Sequence, residues 1–414
     1  MSNIFEGFLT TPESMDAFGD RNFVAAMLRF EAALTRAQAA HGLVPETAAQ
    51  SIVDTCKVDL FDASKIVRES ARAGSLAIPM VKSLKETVGL FNRDAVPYVH
   101  LGSTSQDVID TAMALITRDV LLLIEADLLR CLQAVVLLGE AHCYTPVLSR
   151  TLMQPASVTS FGLKCFNWAA PLARSLVRLQ SVKVKALKVQ LGGSAGTQAR
   201  LGPKSPEIMA HMAQALGLGL PLAPWHTQRD EWIALGCELG LMVGSLGKLA
   251  KDISLLSQFE VGEVSEAREP GRGSPAEMPH KNNPVASMVA LVAAQRAPQR
   301  IATLLAAMTQ EHERALGGWQ TELAEWSQLL MSAHASARAM GDALPGLEIH
   351  PERMRKHLDD AARSVDRDTA TAWFDAALAE GAGRMAQTYF NGLRAELEPQ
   401  FTLRRLPGQH RLVA

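Results

Sequence analysis

LGCELGLMVGSLGKLAKDISLL, Leu235–Leu256, contains no proline, and in it Leu235, Leu239, Met242, Leu246, Leu249, Ile253 and Leu256 alternate in steps of four and three. Such a heptad seam is one apolar edge of a long helix packed in a bundle. Gly236, Gly240 and Gly244 recur every four residues on the same helix. Each weakens an isolated helix by about 1 kcal/mol relative to alanine. The seam therefore predicts close approach of a neighbouring backbone.

Working outward, prolines punctuate the chain. None falls between Pro97 and Pro146, Pro171 and Pro203, Pro224 and Pro270, or Pro298 and Pro345. Each gap has room for a helix longer than three or four turns. From Arg118 to Gly139 the residues are apolar almost all round, broken by Glu125, Asp127, Arg130 and Gln133. A helix apolar on every face needs cover on every face. This predicts an oligomer sharing its central bundle between subunits; the alternative is a monomeric bundle with these helices at its centre. The expected organisation is an N-terminal helical domain (1–102), a central long-helix bundle (103–349) and a short C-terminal helical domain (350–414).

Composition narrows the class. Aromatic residues are 5% of the 414, hydrophobic residues 48%, and helix-forming Ala, Leu and Met abound, which favours an all-α fold. A net charge of −2 argues against a nucleic-acid partner. The five cysteines are scattered, without zinc spacing, and read as small buried hydrophobes in a reducing compartment. The start of the chain lacks a secretory pattern, and purely apolar runs fall far short of the ~18 residues that span a bilayer. A cytoplasmic protein without a membrane partner is expected.

Four polar segments interrupt this apolar background. GSTSQDVIDT (Gly102–Thr111) sets Ser103, Thr104 and Ser105 before a long helix starting near Gln106. They can cap that helix, or present its N-terminus to an anion. GGSAGTQ (Gly192–Gln198) is expected to close a helix, where glycines serve either as a C-cap or for close ligand approach. GRGSPAEMPHKNNP (Gly271–Pro284) cannot be helix interior; it is a polar loop between rigid elements, with Lys281 and Asn283 able to meet two carboxylate oxygens. QEHERALGGWQTE (Gln310–Glu322) holds Arg314, a fork donor for a carboxylate, and His312, read as a helix-surface histidine. PWHTQRD adds His226 and Arg229 near the start of the heptad helix. Metal-protease, P-loop and dinucleotide patterns are missing, so side chains alone are expected to run the chemistry, with no cofactor and no metal.

Together GSTSQDVIDT, PWHTQRD, MPHKNNP and QEHERALGGWQTE resemble the fumarase/aspartase superfamily over most of residues 20–360, and most closely its lactone-forming cycloisomerase branch. The resemblance implies a three-domain, mostly α-helical homotetramer whose active sites are each built from three subunits. It implies addition or elimination next to a carboxylate of a small polycarboxylate, through a carbanion held as an aci-carboxylate. Ser103, Thr104, Ser105, Gln154, His226, Asn283 and Arg314 are carried over as substrate-holding residues, Lys281 and Ser274 as catalytic ones, and 265–284 as the catalytic loop. Two departures stand out. The superfamily's catalytic histidine falls on Leu152, within RTLMQPA. A lactonising enzyme tolerates that loss, because its nucleophile is a substrate carboxylate already ionised at neutral pH. The loop serine falls on Pro275, one residue from Ser274, a reach of about 3.3–3.6 Å. The alternatives implied are a lyase of succinyl adducts, such as adenylosuccinate lyase, which Leu152 disfavours, and a tetramer that binds without turnover, which Pro275 favours.

Overall fold

A computed structural model describes residues 4–268, 273, 277–278 and 280–398. Five long helices form its core: α2 (Ser105–Ala141), α3 (Phe161–Ala186), α4 (Asp230–Leu256), α5 (Val285–Ala306) and α6 (Gly318–Ala343). Before them α1 (Asp20–Ala40) packs on α2. After them α7 (Pro351–Arg363) and α8 (Ala379–Leu397) pack on a hairpin made of β1 (Pro146–Thr151) and β2 (Gln154–Ser160). A second short pair joins β3 (Val264–Ser265) to β4 (Glu348–Ile349).

Side-chain pairs fix the direction of each core helix. Trp319 and Trp326 of α6 donate to Asp110 and Thr117 of α2, so these two helices run in parallel. Arg178 meets Glu238 and Trp168 meets Asp252, so α3 runs against α4. Gly236 faces Leu304 while Gly247 faces Ala294, so α5 also runs against α4. Thus α2, α4 and α6 point one way, and α3 and α5 the other.

All seven seam residues of α4 are buried, Leu235 to Leu249 fully so, as the heptad requires. The glycines are used differently from expectation. A Cβ on Gly240 would lie 1.8 Å from Cδ1 of Ile301, so a side chain, not a backbone, fills the notch. Gly244 faces open space. Two prolines also fail to punctuate: Pro171 lies inside α3 and Pro298 inside α5. Packing of both helices within the bundle outweighs the lost helix bond. α4 is long and apolar enough to cross a bilayer, yet its seam is the centre of the bundle. The stretch 118–139 lies within α2 and is covered mostly by the chain itself, though Leu122 remains exposed.

Candidate active site

The N-terminal ends of α2, α4 and α6 meet, and there the polar segments 102–111, 192–198, 224–230 and 310–322 converge. Asp107 lies in the first turn of α2, where free amide groups favour an anion, and its side chain is fully buried. Its Oδ2 accepts from the amides of Thr104 (3.1 Å) and Gly193 (2.9 Å), and its Oδ1 from that of Gly192 (2.9 Å). Oδ1 also lies 2.7 Å from Nε2 of the buried His226. Because a carboxylate only accepts, Nε2 carries the hydrogen. The Gln106 side chain donates to the His226 carbonyl (2.9 Å), so the histidine is held at ring and backbone.

One turn along α2, Asp110 receives Arg229 through Nη1 (2.9 Å) and Nη2 (3.3 Å), and the indole of Trp319 (2.9 Å). Arg229 donates onward to Glu322 of α6, through Nε at 3.0 Å and through Nη2. All three side chains of this ion triad are about 1% exposed. The guanidinium also lies 4.5 Å over the ring of Trp225. Burial pushes the Glu322 carboxyl above its ordinary range, with Arg229 opposing that shift. The charged partners of Arg229 are thus Asp110 and Glu322, not its sequence neighbour Asp230.

Arg314 precedes α6 and donates through Nη2 to the carbonyls of Gly193 (2.6 Å) and Ser194 (3.3 Å). Burial lowers its pKa from the ordinary arginine value, with Asp107 and Asp110 opposing. His312 lies in the loop before α6, exposed and with φ +46°, so it is not on a helix surface. GGSAGTQ closes no helix either. α3 ends at Ala186, and the segment is a loop laid over His226, with positive φ at Gly193 and Gly196. Gly192 is required there, since a Cβ on it would lie 2.4 Å from Cε1 of His226.

The remaining expected residues lie at the other end of the bundle. Glu266 is buried, and its carboxylate accepts from the amides of Ala286 (3.0 Å) and Ser287 (2.9 Å) and from Oγ of Ser287 (2.7 Å). Its carbonyl receives the Asn282 side chain (2.7 Å). That capping of α5 holds the base of the loop carrying the exposed Lys281 and the half-buried Asn283. The backbone N–H of Asn283 donates to the Gly273 carbonyl (3.3 Å). Ser274 lies outside the described residues, as do Pro275 and Ala276. Gln154 is exposed at the hairpin, paired with Thr151 across the two-residue turn Leu152–Met153. Both turn residues have positive φ, as such a turn demands, and Leu152 is 97% exposed. Arg150 ties the hairpin to this end through both oxygens of the buried Glu263 (2.7 and 3.0 Å).

The structure thus brings Thr104, His226 and Arg314 together, with Ser103 and Ser105 flanking Thr104. Lys281, Asn283 and Gln154 are held apart from them by the length of α4, whose 27 residues span about 40 Å. Sequence reading missed Asp107, Asp110, Glu266 and Glu322. Two acids three residues apart at the head of an apolar helix were the available signal.

A protein-family model described as lyase matches residues 8–299. A 3-carboxy-cis,cis-muconate cycloisomerase of Pseudomonas aeruginosa is 42% identical over 361 residues, 86% of this chain and 78% of its own length. The same-named enzyme of Bradyrhizobium diazoefficiens is 40% identical over 93% of this chain and 84% of its own. The crystal structure of the 3-carboxy-cis,cis-muconate lactonizing enzyme from Pseudomonas putida superposes with a TM-score of 0.82 at 38% identity, covering 96% of this chain and 91% of that one.

Proposed function

The chain belongs to the lyase family, within the fumarase/aspartase superfamily, and from that premise we propose that it is a cycloisomerase closing 3-carboxy-cis,cis-muconate to γ-carboxymuconolactone. The observation that carries the reading is kinship with cycloisomerases over almost the whole chain, joined to a leucine where the superfamily's proton-moving histidine falls. In the reaction a substrate carboxylate oxygen adds across the double bond and forms the ring C–O bond. The displaced electron pair rests on the neighbouring carbon as an aci-carboxylate, until a proton is delivered there. No atom leaves, so the step is an isomerisation. The nucleophile is already ionised and tethered, so it needs positioning more than a base. Donors aimed at the growing aci-carboxylate charge supply most of the acceleration.

On this reading Ser103, Thr104, Ser105, His226 and Arg314 hold substrate at one end of the bundle. Gln154, Lys281 and Asn283 do so at the other, and Ser274 delivers the proton. A substrate of this size cannot bridge about 40 Å. The site on this reading is therefore composite: one chain supplies the first group and neighbouring copies supply the second, in a homotetramer. The free cysteines, three of them buried, suit a reducing cytoplasm.

The test is the ultraviolet decay of 3-carboxy-cis,cis-muconate with wild type and with Ser274→Ala. Turnover by the wild type, lost in the variant while substrate still binds, is expected. Turnover in both removes Ser274 and leaves the function standing. Binding without turnover in the wild type overturns the enzymatic reading.

A further inference from the structure

Among the described residues, two polar atoms beside the Gly192–Gln198 loop have no hydrogen-bond partner. Nε of Arg314 is buried and makes no hydrogen bond, although Nη2 of the same guanidinium is spent on Gly193 and Ser194. His226 uses Nε2 on Asp107, and among the described residues nothing is bonded to its Nδ1, which lies 3.9 Å from where a Cβ on Gly196 would stand. An orphaned buried guanidinium N–H costs free energy unless a ligand answers it. Asp107 shows how the histidine is kept ready. Its carboxylate is fixed by three backbone amides before it meets the ring, so neither partner is free to turn.

We infer that Asp107 is a positioning residue: it holds His226 by Nε2–H so that Nδ1, together with Arg314, forms a subsite for one non-reacting carboxylate of the substrate. The inference rests on the cycloisomerase reading and names what that end of the bundle recognises. A carboxylate at Nδ1 calls for a proton on that nitrogen, and Asp107 balances the imidazolium so formed. Arg314 faces the same loop with the second positive charge, while Arg229 is fully engaged by Asp110 and Glu322 and adds none. On the cycloisomerase reading, the group held there is the third carboxylate, the one that separates a tricarboxylate from a dicarboxylate of the same length.

Tricarballylate and glutarate differ by just that one carboxylate, and their binding to the full-length protein is measured by calorimetry or by displacement. Wild type is expected to favour tricarballylate by about 10- to 100-fold, the range of a charge-assisted hydrogen bond. In His226→Gln and in Asp107→Asn the preference falls to near one while glutarate affinity is retained, which a general loss of structure would not produce. Where Asp107→Asn does not fold, Gly192→Ala displaces the ring sterically and gives the same loss of preference. An unchanged preference in His226→Gln, an equal weakening of both probes, or a wild type without the preference overturns the inference. Turnover plays no part in the readout, so failure to act on the muconate counts against the proposed function and not against the subsite.

Discussion

Replacing Arg229 with methionine tests how the ion triad is held. The substitution removes four charge-assisted hydrogen bonds and the stacking on Trp225, yet keeps most of the volume. The two acids are left in different states. Asp110 still receives Trp319 at 2.9 Å, Gln106 at 3.2 Å and Gln190 at 3.4 Å. Glu322, 1% exposed, loses both of its arginine bonds. Breaking a buried pair costs about 3–5 kcal/mol, and here most of it falls on Glu322. Its carboxyl already sits above the ordinary range because of burial, with Arg229 pulling it down; without the arginine it rises further. A carboxyl with a raised folded-state pKa binds more protons folded than unfolded. Its stability is therefore fully present below the unfolded value of about 4.3 and is lost as pH rises through the folded value. Arg229→Met should thus be destabilised most near neutrality, and the deficit should shrink on acidification. Adding Glu322→Gln should recover more stability than adding Asp110→Asn. Urea denaturation of the variants at neutral pH and at about pH 5 measures both effects. Equal losses at the two pH values, or better rescue at Asp110, would refute the assignment of the cost to Glu322.

Three further outcomes are expected. Glu266→Gln keeps one acceptor oxygen where two served the start of α5; it should cost about 1–2 kcal/mol and speed amide exchange at Ala286 and Ser287. At His100 burial opposes the charge but Glu31, 2.6 Å away, outweighs it, so the pKa is raised. Stability from that pair is full below about pH 6.5, is lost as pH rises through the raised value, and in His100→Gln the corresponding slope of denaturation midpoint with pH disappears. Gly240→Ala drives a methyl into Ile301 and should cost about 1–3 kcal/mol, most of it restored by Ile301→Val in the same melt.

The bundle was readable because hydrophobic period survives in a single sequence. The seam of α4 needed only spacing to be placed at the core. The polar segments were readable as segments, since glycine, proline and hydroxyl clusters cannot be helix interior. What each side chain meets was not. Asp107 and His226 are 119 residues apart, and Arg229 and Glu322 are 93 apart. Such pairs arise only from the order in which helices stack. Prolines misled for a related reason: Pro171 and Pro298 are tolerated inside helices because neighbours hold those helices in place. Gln154 and Arg314 looked equivalent as carboxylate donors, yet α4 sets their segments at opposite ends.

That separation has a genetic corollary. On the composite site proposed above, a lesion near Arg314 and a lesion near Lys281 would damage different halves of the site, so two inactive alleles of this kind would not be equivalent. Expressed together, they would assemble, on the same proposal, mixed tetramers in which some sites draw an intact half from each parent. Two alleles damaged at the same end cannot. The phenotype of a mixed population would then map each substitution to one pole of α4 without any structure being consulted.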